Sequence, residues 1–389
     1  MPPAPPPPPA TAPGDDAHAL LRLLVAAGAV EPRRRLLERH GSAAQALAAG
    51  PAAWRECGLA AQQMAKLSRP DAVRLENAEK WLREPGHHLL DCRHCDYPAL
   101  LLRGPNPPLA LFVAGDPTLL WHPSVAIVGT RGPTPAGTAH AADFAHALAR
   151  SGLAVTSGLA AGIDTAAHEA TLAADGITVA VLGTGPDVAY PRANARLLAR
   201  IAERGAVVSE HLPGTGPSTW HFPTRNRIIA GLSLATLVIE AAWQSGALIT
   251  ARLAAEAGRD VFALPGSIRN PLARGCHRLI REGAGLVEDP AEVIAALAPQ
   301  AQVLAQDLRT RLDAPIHRGE EAVSRPAKDS AREDPDYQQL WLALGHDPTN
   351  MDELVTRTGL TAAAVSSMLL LMELDGRVQA QHGRYFRNR

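Results

Sequence analysis

The chain has 389 residues, of which 46% are hydrophobic, and a formal net charge of −1 from 38 basic and 39 acidic side chains. This length predicts two or three domains, and the hydrophobic fraction excludes a wholly disordered protein. A net charge near zero excludes a protein that coats nucleic acid through bulk positive charge, so any anion site must be local.

The first hundred residues fall into two parts. Residues 1–15 are rich in proline and alanine and have no apolar periodicity, which predicts a disordered tail. Residues 16–100 contain short helical runs separated by Gly41, Gly50 and Gly58, which predict a small helical domain of the SAM or helix-hairpin-helix kind. Such a domain could contact a DNA backbone or serve only for packing, and the pattern is compatible with both.

The sequence has neither a signal-peptide pattern at its N-terminus nor an apolar stretch long enough to span a membrane. We therefore expect a cytoplasmic protein with no membrane partner. Cys92 and Cys95 form a single C-x-x-C pair, but a structural zinc usually needs a second pair, and the sequence has none. We expect reduced thiols, no metal and no cofactor.

The middle of the chain alternates short apolar strands with helical segments. This alternation predicts a doubly wound, Rossmann-like parallel sheet, an α/β domain that we place at residues 101–298. Fully buried parallel strands read as continuous apolar runs, as these segments do. The predicted strands are Leu109–Ala114, Ser124–Val128, Leu153–Ser157, Ile177–Leu182, Ala206–Ser209, Ala235–Glu240 and Val261–Leu264.

The last ninety residues divide into a linker and a second compact domain. Residues 299–334 lose apolar periodicity and gain charge, which predicts a flexible linker. Residues 335–389 show three helical runs followed by a hairpin around His382 and Gly383, the pattern of a winged-helix domain. The run in the position of a recognition helix, residues 361–374, contains no arginine or lysine. We therefore favour a protein-contact or regulatory role for this domain over sequence-specific DNA reading.

Ligands of open α/β sheets bind at the carboxyl ends of the strands, and here those strands are followed by loops rich in glycine, serine, threonine and arginine. Glycine lets backbone N–H groups approach an anion, hydroxyls add donors, and arginine adds a bidentate cation. Together the loops predict a phosphate cradle. Its candidate residues are Gly129, Thr130, Arg131, Ser157, Gly158, Gly183, Thr184, Arg225, Asn226, Arg227, Ser245 and Gly246.

Two enzyme classes lack their sequence motifs in this chain. Neither G-x-G-x-x-G after the first strong strand nor G-x-x-x-x-G-K-[ST] anywhere is present, which argues against dinucleotide use and nucleotide hydrolysis.

Asp164 and His168 lie one helical turn apart and could form an acid–base pair, although we favour a structural role for both. Glu210 and Glu240 stand at strand ends and could be general bases, but no activated nucleophile lies near them in sequence.

Nucleic acid could also be held by stacking. Trp220 and Phe222 directly precede Arg225 and could offer a face for bases, or could equally be buried in the core.

The same loops carry a series of motifs that runs in order from about residue 97 to residue 297. Its segments are Val125–Arg131, Ser157–Asp164 with His168, Val181–Gly185 with Tyr190 and Pro191, Phe222–Leu232, Ser245–Thr250 and Gly275–Ile280. This series resembles the DNA-processing protein A family, also called DprA or Smf.

This resemblance implies a non-enzymatic homodimer that binds single-stranded DNA during natural transformation, protects it and loads the RecA recombinase onto it. By matching position, the pocket would be lined by Arg131, Ser157, Gly158, Arg225 and Asn226, and self-association would use His277, Ile280 and Leu286. The family's groove lysines have no counterpart here, because the chain has no lysine between Lys80 and Lys328. Arg192, Arg227 or Arg269 could replace them.

Two alternatives remain open from the sequence. A Rossmann-type nucleotide-processing enzyme of the phosphoribohydrolase kind shares the logic of phosphate loops, although its P-G-G-x-G-T-x-x-E signature is absent. A DNA-dependent regulator acting through the winged helix would bind duplex DNA with residues 335–389 alone.

Overall fold

The structure, a computed structural model, describes residues 13–94, 96–313, 335–344, 349–361, 378–381 and 384–387, together with residues 365, 368, 369 and 372. The chain divides into two compact units, residues 1–314 and 315–389. Among the described helices, none combines the length and apolar character that crossing a membrane requires.

The first unit begins with short helices. Glycine and serine set their boundaries: Gly41 takes the left-handed conformation that ends the second helix, and Ser42 caps the third by accepting a hydrogen bond from the Gln45 N–H. The helices are α1 (Pro13–Val25), α2 (Val30–His40), α3 (Ala43–Ala48), α4 (Gly50–Glu56), α5 (Ala61–Ser68) and α6 (Ala72–Leu82).

Nine described strands form one sheet in the order β1-β2-β6-β5-β4-β3-β7-β8-β9. The strands from β6 to β9 in this order are parallel, whereas β1 and β2 add an antiparallel pair at one edge. The strands are β1 (His87–Asp91), β2 (Ala110–Gly115), β3 (Ser124–Val128), β4 (Ala154–Ser157), β5 (Thr178–Leu182), β6 (Ala206–Ser209), β7 (Ala235–Val238), β8 (Asp260–Ala263) and β9 (Gly285–Leu286).

Helices cover both faces of this sheet. Alternate strand residues point to opposite faces, so Val125 and Ile127 pack with α8 and α9, while Ala126 and Val128 pack with α11 and α12. These helices and their neighbours are α7 (Ala99–Leu102), α8 (Pro135–Arg150), α9 (Ile163–Ala173), α10 (Ala195–Arg204), α11 (His221–Leu232), α12 (Gly246–Glu256), α13 (Arg274–Arg281) and α14 (Pro290–Asp313). The predicted α/β class and doubly wound parallel sheet are confirmed.

The N-terminal helices share a core with the sheet. Trp81 of α6 stacks on His87 with ring centroids 3.9 Å apart, and it meets Phe112 of β2 edge-on at 5.8 Å. The compact unit therefore runs through the boundary that we predicted at residue 100, and β1 already belongs to the sheet. Sequence reasoning missed β1 because its residues, His87–Asp91, include only two aliphatic side chains.

Other boundaries also differ from those predicted. The first helix begins at Pro13, inside the stretch predicted as a disordered tail, and the rest of that stretch lies outside the described residues. Helix α14 extends to Asp313, so residues 299–313 of the predicted linker are helical. The remaining linker residues also lie outside the described part of the chain.

The second unit has a small core and a three-stranded sheet. Its described elements are α15 (Pro335–Leu344), β10 (Thr349–Asn350), α16 (Met351–Thr358), β11 (Val378–Gln381) and β12 (Arg384–Arg387), with the strand order β10-β12-β11. Val365, Leu369 and Met372 of the apolar predicted recognition run are buried in this core. The apolar character of that run therefore serves packing.

The contact between α6 and the sheet gives a stability test. We expect Trp81→Ala to lower the free energy of unfolding by about 3–5 kcal/mol, because it removes a large buried ring from a packed site. Trp220→Ala is the matched control: its ring is 82% exposed, so we expect a change within about 0.5 kcal/mol. Denaturant unfolding measures both. Equal losses in the two variants would contradict a shared core.

Candidate functional site

In the sheet, β4, β5 and β6 lie successively on one side of β3, whereas β7, β8 and β9 lie successively on its other side. The neighbouring strands β3 and β7 belong to opposite halves of the sheet, so their carboxyl ends open a crevice at the topological switch point. A cleft of about 570 Å³ lies there, which we call the main cleft. It is continuous with a side pocket of about 170 Å³, because Arg131, Tyr190, Phe222 and Arg225 line both.

Seven of the twelve predicted cradle residues line the main cleft, and an eighth, Gly158, lines the side pocket. Ser157, Gly183, Thr184 and Arg227 line neither cavity. The seven in the main cleft are Gly129, Thr130, Arg131, Arg225, Asn226, Ser245 and Gly246.

The loop after β3 presents Arg131 to solvent. Its guanidinium carbon lies 5.6 Å from the centre of the Phe222 ring, within the range of a cation–π contact. Among the described residues, no acidic side chain lies within ion-pair distance of Arg131. This arginine is therefore an exposed positive charge with an aromatic platform beneath it.

The loop that carries Arg131 is held on both sides by backbone hydrogen bonds. The Thr130 N–H donates to the carbonyl of Glu240 at 2.7 Å, and the Thr130 carbonyl accepts from the Ile163 N–H at 3.2 Å. A side chain at Gly129 would put its Cβ 2.6 Å from Ile163, so the close approach requires glycine. The loop is consequently rigid, and the Thr130 N–H is already engaged within the protein.

Glu240 strengthens this hold with its side chain. The buried carboxylate accepts from the Thr134 N–H at 2.9 Å, the Thr134 hydroxyl at 2.7 Å and the Asn270 amide at 3.3 Å. Thr134 is the N-cap of α8, and a Cβ at Gly137 would lie only 2.4 Å from the carboxylate. The acid that the sequence offered as a general base therefore has a structural partner for each oxygen.

Arg225 lies on helix α11, not in a loop as the sequence suggested, and it is only 5% exposed. Its Nη1 donates to the carbonyl of Gly158 at 2.7 Å and also to that of Val181. Burial lowers the pKa of Arg225 to about 10, with the charge of Asp164 acting in the opposite direction. Arg225 thus remains cationic and ties the ends of β4 and β5 to α11.

The loop after β4 uses its polar groups internally. The Ser157 hydroxyl donates to the Ile127 carbonyl at 2.6 Å, and Asp164 accepts from the N–H groups of Gly158 and Ala160 at 3.0 and 3.3 Å. A Cβ at Gly158 would lie 2.1 Å from the Arg225 guanidinium, so glycine is needed for that arginine to pack. Burial raises the pKa of Asp164, which the Arg225 charge opposes.

His168 has no access to the cleft. It is fully buried, and its Nδ1 lies 2.7 Å from the Thr178 hydroxyl, with which it shares a hydrogen bond. Burial lowers its pKa to about 3, so the ring is neutral at physiological pH. Asp164 and His168 therefore have separate structural partners, and Asp164 holds the loop that precedes its helix.

The loop after β5 supports an aromatic wall. The buried Thr184 hydroxyl donates to the Val188 carbonyl at 2.6 Å, and Gly183 leaves the space into which Phe222 packs. Tyr190, 41% exposed, lies with its ring centre 5.1 Å from that of Phe222. Sequence reasoning missed Tyr190 as a site residue, although its place in a loop after a strand was a usable signal.

The N-terminus of α12 forms the other wall. Ser245 caps this helix by accepting from the Ala247 N–H at 3.3 Å, and Gly246 is exposed with open space around it. The Asn226 amide donates to the Gly246 carbonyl at 3.4 Å, which joins α11 to this helix start.

Arg227 was a predicted cradle residue, but it lines neither cavity. Its side chain pairs with Glu210 at 2.5 Å, so an ion pair takes up both charges. Trp220, which could have been a core residue, is 82% exposed beside the start of α11.

A larger cavity of about 730 Å³ lies away from the switch point, between α12, β8 and α13, and we call it the edge cleft. The predicted self-association residues are nearby in the chain: His277 and Ile280 are half-buried on α13, and Leu286 is 50% exposed on the edge strand β9. The main cleft is the better candidate site because it is where the arginine, hydroxyl and aromatic groups converge.

The described residues contain no group of three or more His, Cys, Asp or Glu side chains placed to hold a metal. Cys92 is buried, and Cys95 of the C-x-x-C pair lies outside the described residues.

Comparison with known proteins identifies the family. The family model for DNA recombination-mediator protein A matches residues 88–298, and that for the DprA winged-helix domain matches residues 324–384. The chain is 39% identical over 335 residues to protein Smf of Escherichia coli K12, covering 86% of each chain. The chain belongs to the DprA/Smf family. The DprA fold, including the C-terminal winged helix, is thereby confirmed.

Further DprA relatives extend this likeness. The DprA of Streptococcus pneumoniae R6 is 46% identical over 218 residues, which cover 56% of this chain and 76% of that protein. A crystal structure of DprA from S. pneumoniae superposes with a TM-score of 0.64 at 38% identity, covering 72% of this chain and 96% of that one. A Helicobacter pylori DprA structure, described for its single-stranded DNA binding mode, gives 0.50 at 30% identity, with coverages of 55% and 96%.

The Glu240 hydrogen bonds give a test of how the Arg131 loop is held. We expect Glu240→Ala to lower the free energy of unfolding by about 1–3 kcal/mol, because it leaves the half-buried Thr134 donors without their buried acceptor. Amide hydrogen exchange in residues 129–137 should become faster.

The matched control is Glu256→Ala, which removes an exposed carboxylate paired only with Arg252 on the same helix. We expect a change within about 0.5 kcal/mol and no faster exchange in residues 129–137. Unaltered exchange in Glu240→Ala would show that the loop does not depend on this carboxylate.

Proposed function

We propose that this DprA/Smf protein binds single-stranded DNA in the main cleft, protects incoming DNA and loads RecA onto it during natural transformation. We propose further that it acts in the cytoplasm as a homodimer, through binding and not through catalysis. The observation that carries the proposal is the exposed Arg131, which has no acidic partner within the described part of the chain and lies over the Phe222 ring at the switch point of the sheet.

The chemistry of the cleft favours a single strand over a duplex. A single strand presents both phosphates and unpaired base faces, and proteins hold it with cationic grooves and aromatic side chains. Arg131 supplies an exposed cation, and Tyr190 and Phe222 supply aromatic faces in the same cleft. Trp220, directly before α11, presents an exposed ring. The single-stranded DNA binding mode described for the H. pylori relative supports the same ligand.

A binding role is favoured over a catalytic one because the acidic side chains Asp164 and Glu240, near the carboxyl ends of the strands, already accept hydrogen bonds within the protein. Asp164 is held by loop N–H groups and Glu240 by Thr134 and Asn270, while His168 is buried against Thr178. None of these groups is left in the cleft as a free general base. Release of ribose phosphate from a nucleoside monophosphate by the purified protein would contradict this part of the proposal.

Arg131→Ala is the direct test of DNA binding, since Arg131 is exposed and its loss should leave the fold intact. We expect the affinity for single-stranded DNA to fall at least about fourfold at 0.15 M salt and the slope of log K against log salt to shrink by about 0.7, as for one lost phosphate contact. Fluorescence anisotropy over a salt series measures both.

The control is Arg150→Ala, which removes an exposed arginine from the far end of α8. Its binding should match wild type. Arg225→Ala should weaken binding as well, but it also removes buried hydrogen bonds, so its effect mixes binding with stability. Binding in Arg131→Ala equal to that of wild type would refute the site.

Wild type, Arg131→Ala and Arg150→Ala also test RecA loading. On DNA coated by a single-strand-binding protein, wild type and Arg150→Ala should accelerate RecA-dependent ATP hydrolysis, whereas Arg131→Ala should not. Failure of the wild-type protein to accelerate it would contradict the loading role and leave the DNA-binding result standing.

The proposed homodimer would form at the free edge of the sheet. Among the described residues, strand β9 hydrogen-bonds to β8 and to no strand on its other side, and Leu286 on it is half exposed. Beside it the edge cleft has an apolar lining that includes Trp243, Leu248 and Phe262. Exposed apolar surface next to an unpaired strand is the usual mark of an interface.

Leu286→Glu tests this interface, because a carboxylate would have to be buried unpaired in a dimer. We expect sedimentation equilibrium to show a dimer for wild type and a monomer for Leu286→Glu. Val73→Glu, the same kind of change at an exposed aliphatic residue on α6, should remain a dimer. A dimeric Leu286→Glu would exclude this edge as the interface.

A further inference from the structure

Helix α10 and the turn before it carry a row of exposed arginines outside the cavities described above. Arg192, Arg196 and Arg200 are spaced four residues apart, so the last two lie on one side of the helix, about 6 Å apart along its axis. Within the described residues, none of the three has an acidic side chain at ion-pair distance. Arg204, one turn further on, does pair with Asp175.

The row begins where the side pocket ends. Tyr190 and Pro191 line that pocket together with Arg131, and Arg192 is the next residue of the chain. The carboxyl end of β5 leads into this segment, so the row starts at the ligand edge of the sheet and runs away from it along α10.

This segment is fixed in place from its inner side. The Asn194 amide donates to the Leu159 carbonyl and to the Thr165 hydroxyl, both at 2.9 Å, which ties the start of α10 to the loop after β4. Leu197 and Ile201 are buried against the sheet. The outer arginines are therefore presented on a rigid support, one end of which is attached to the wall of the side pocket.

Helix stability gives no reason for such a row. Like charges at i and i+4 repel and destabilise a helix by about 0.2–0.5 kcal/mol per pair. The nearest acid on α10, Glu203, is exposed and lies three residues beyond Arg200, but the two form no ion pair. A bound polyanion would relieve this repulsion.

We propose that Arg192, Arg196 and Arg200 form a second phosphate-binding track, which receives the backbone of single-stranded DNA as it leaves the main cleft. This inference rests on the proposed function and adds the path of the strand beyond the cleft. Guanidinium groups suit the task, because each can donate two parallel hydrogen bonds to a phosphate.

The test compares a short and a long oligonucleotide on the full chain. Arg196→Ala/Arg200→Ala should bind a thymidine oligomer of about 6 nucleotides like wild type, because that length fills only the cleft. With an oligomer of about 20 nucleotides we expect about tenfold weaker binding at 0.15 M salt and a salt slope smaller by about 1.4, as for two lost phosphate contacts.

The matched control is Arg55→Ala/Arg150→Ala, which removes two exposed arginines elsewhere and should bind both oligomers like wild type. Wild-type binding of the long oligomer by Arg196→Ala/Arg200→Ala would overturn the track, leaving the row as a solvated surface or a contact for an acidic protein. Equal loss on both lengths would also overturn it, since the arginines would then act on the cleft itself. If wild type binds neither oligomer, the proposed function fails instead.

Discussion

The guanidinium of Arg225 is the interaction around which the candidate site is built. From a buried position on α11 it donates to carbonyls at the ends of β4 and β5, and so fixes the helix that carries Phe222 against the loop that carries Gly158. Burial lowers the pKa of Arg225 only to about 10, with the charge of Asp164 acting in the opposite direction, so the arginine stays charged inside the protein. Arg225 also lines both the main cleft and the side pocket.

A second set of contacts acts across the switch point. There, Glu240 holds the β3 loop through its carbonyl at Thr130 and through its carboxylate at Thr134. The two buried side chains hold different parts of the cleft: Arg225 holds the side toward β5, and Glu240 holds the side toward β7. Arg225 binds backbone carbonyls and Glu240 binds Thr134 and Asn270, whereas Arg131 on the β3 loop is exposed. The site thus separates buried residues that shape the cleft from an exposed cation that lines it.

Much of the fold could be predicted from the sequence, because buried parallel strands are continuous apolar runs and two of them, Ser124–Val128 and Ala206–Ser209, have the predicted bounds. The edge strands β1 and β9 could not, since one is polar and the other has two residues. The location of the site followed from the strand ends. The role of each residue could not be predicted, because whether a hydroxyl or N–H is free to face a ligand depends on its partners in the fold. The Ser157 hydroxyl donates to the Ile127 carbonyl, and the Gly158 N–H donates to the Asp164 carboxylate. Arg227 was indistinguishable in sequence from Arg225, yet Glu210 takes up its charge.

The lack of lysine between Lys80 and Lys328 has a consequence for control of this protein in the cell. Between these two lysines, every fixed positive charge is a guanidinium, which stays protonated throughout the physiological pH range. Lysine acetylation, which neutralises the cationic surfaces of many proteins, has no target there, and arginine methylation would leave the charge in place. Release of a bound polyanion would therefore depend on competition or on a change of shape, and not on chemical removal of the charge.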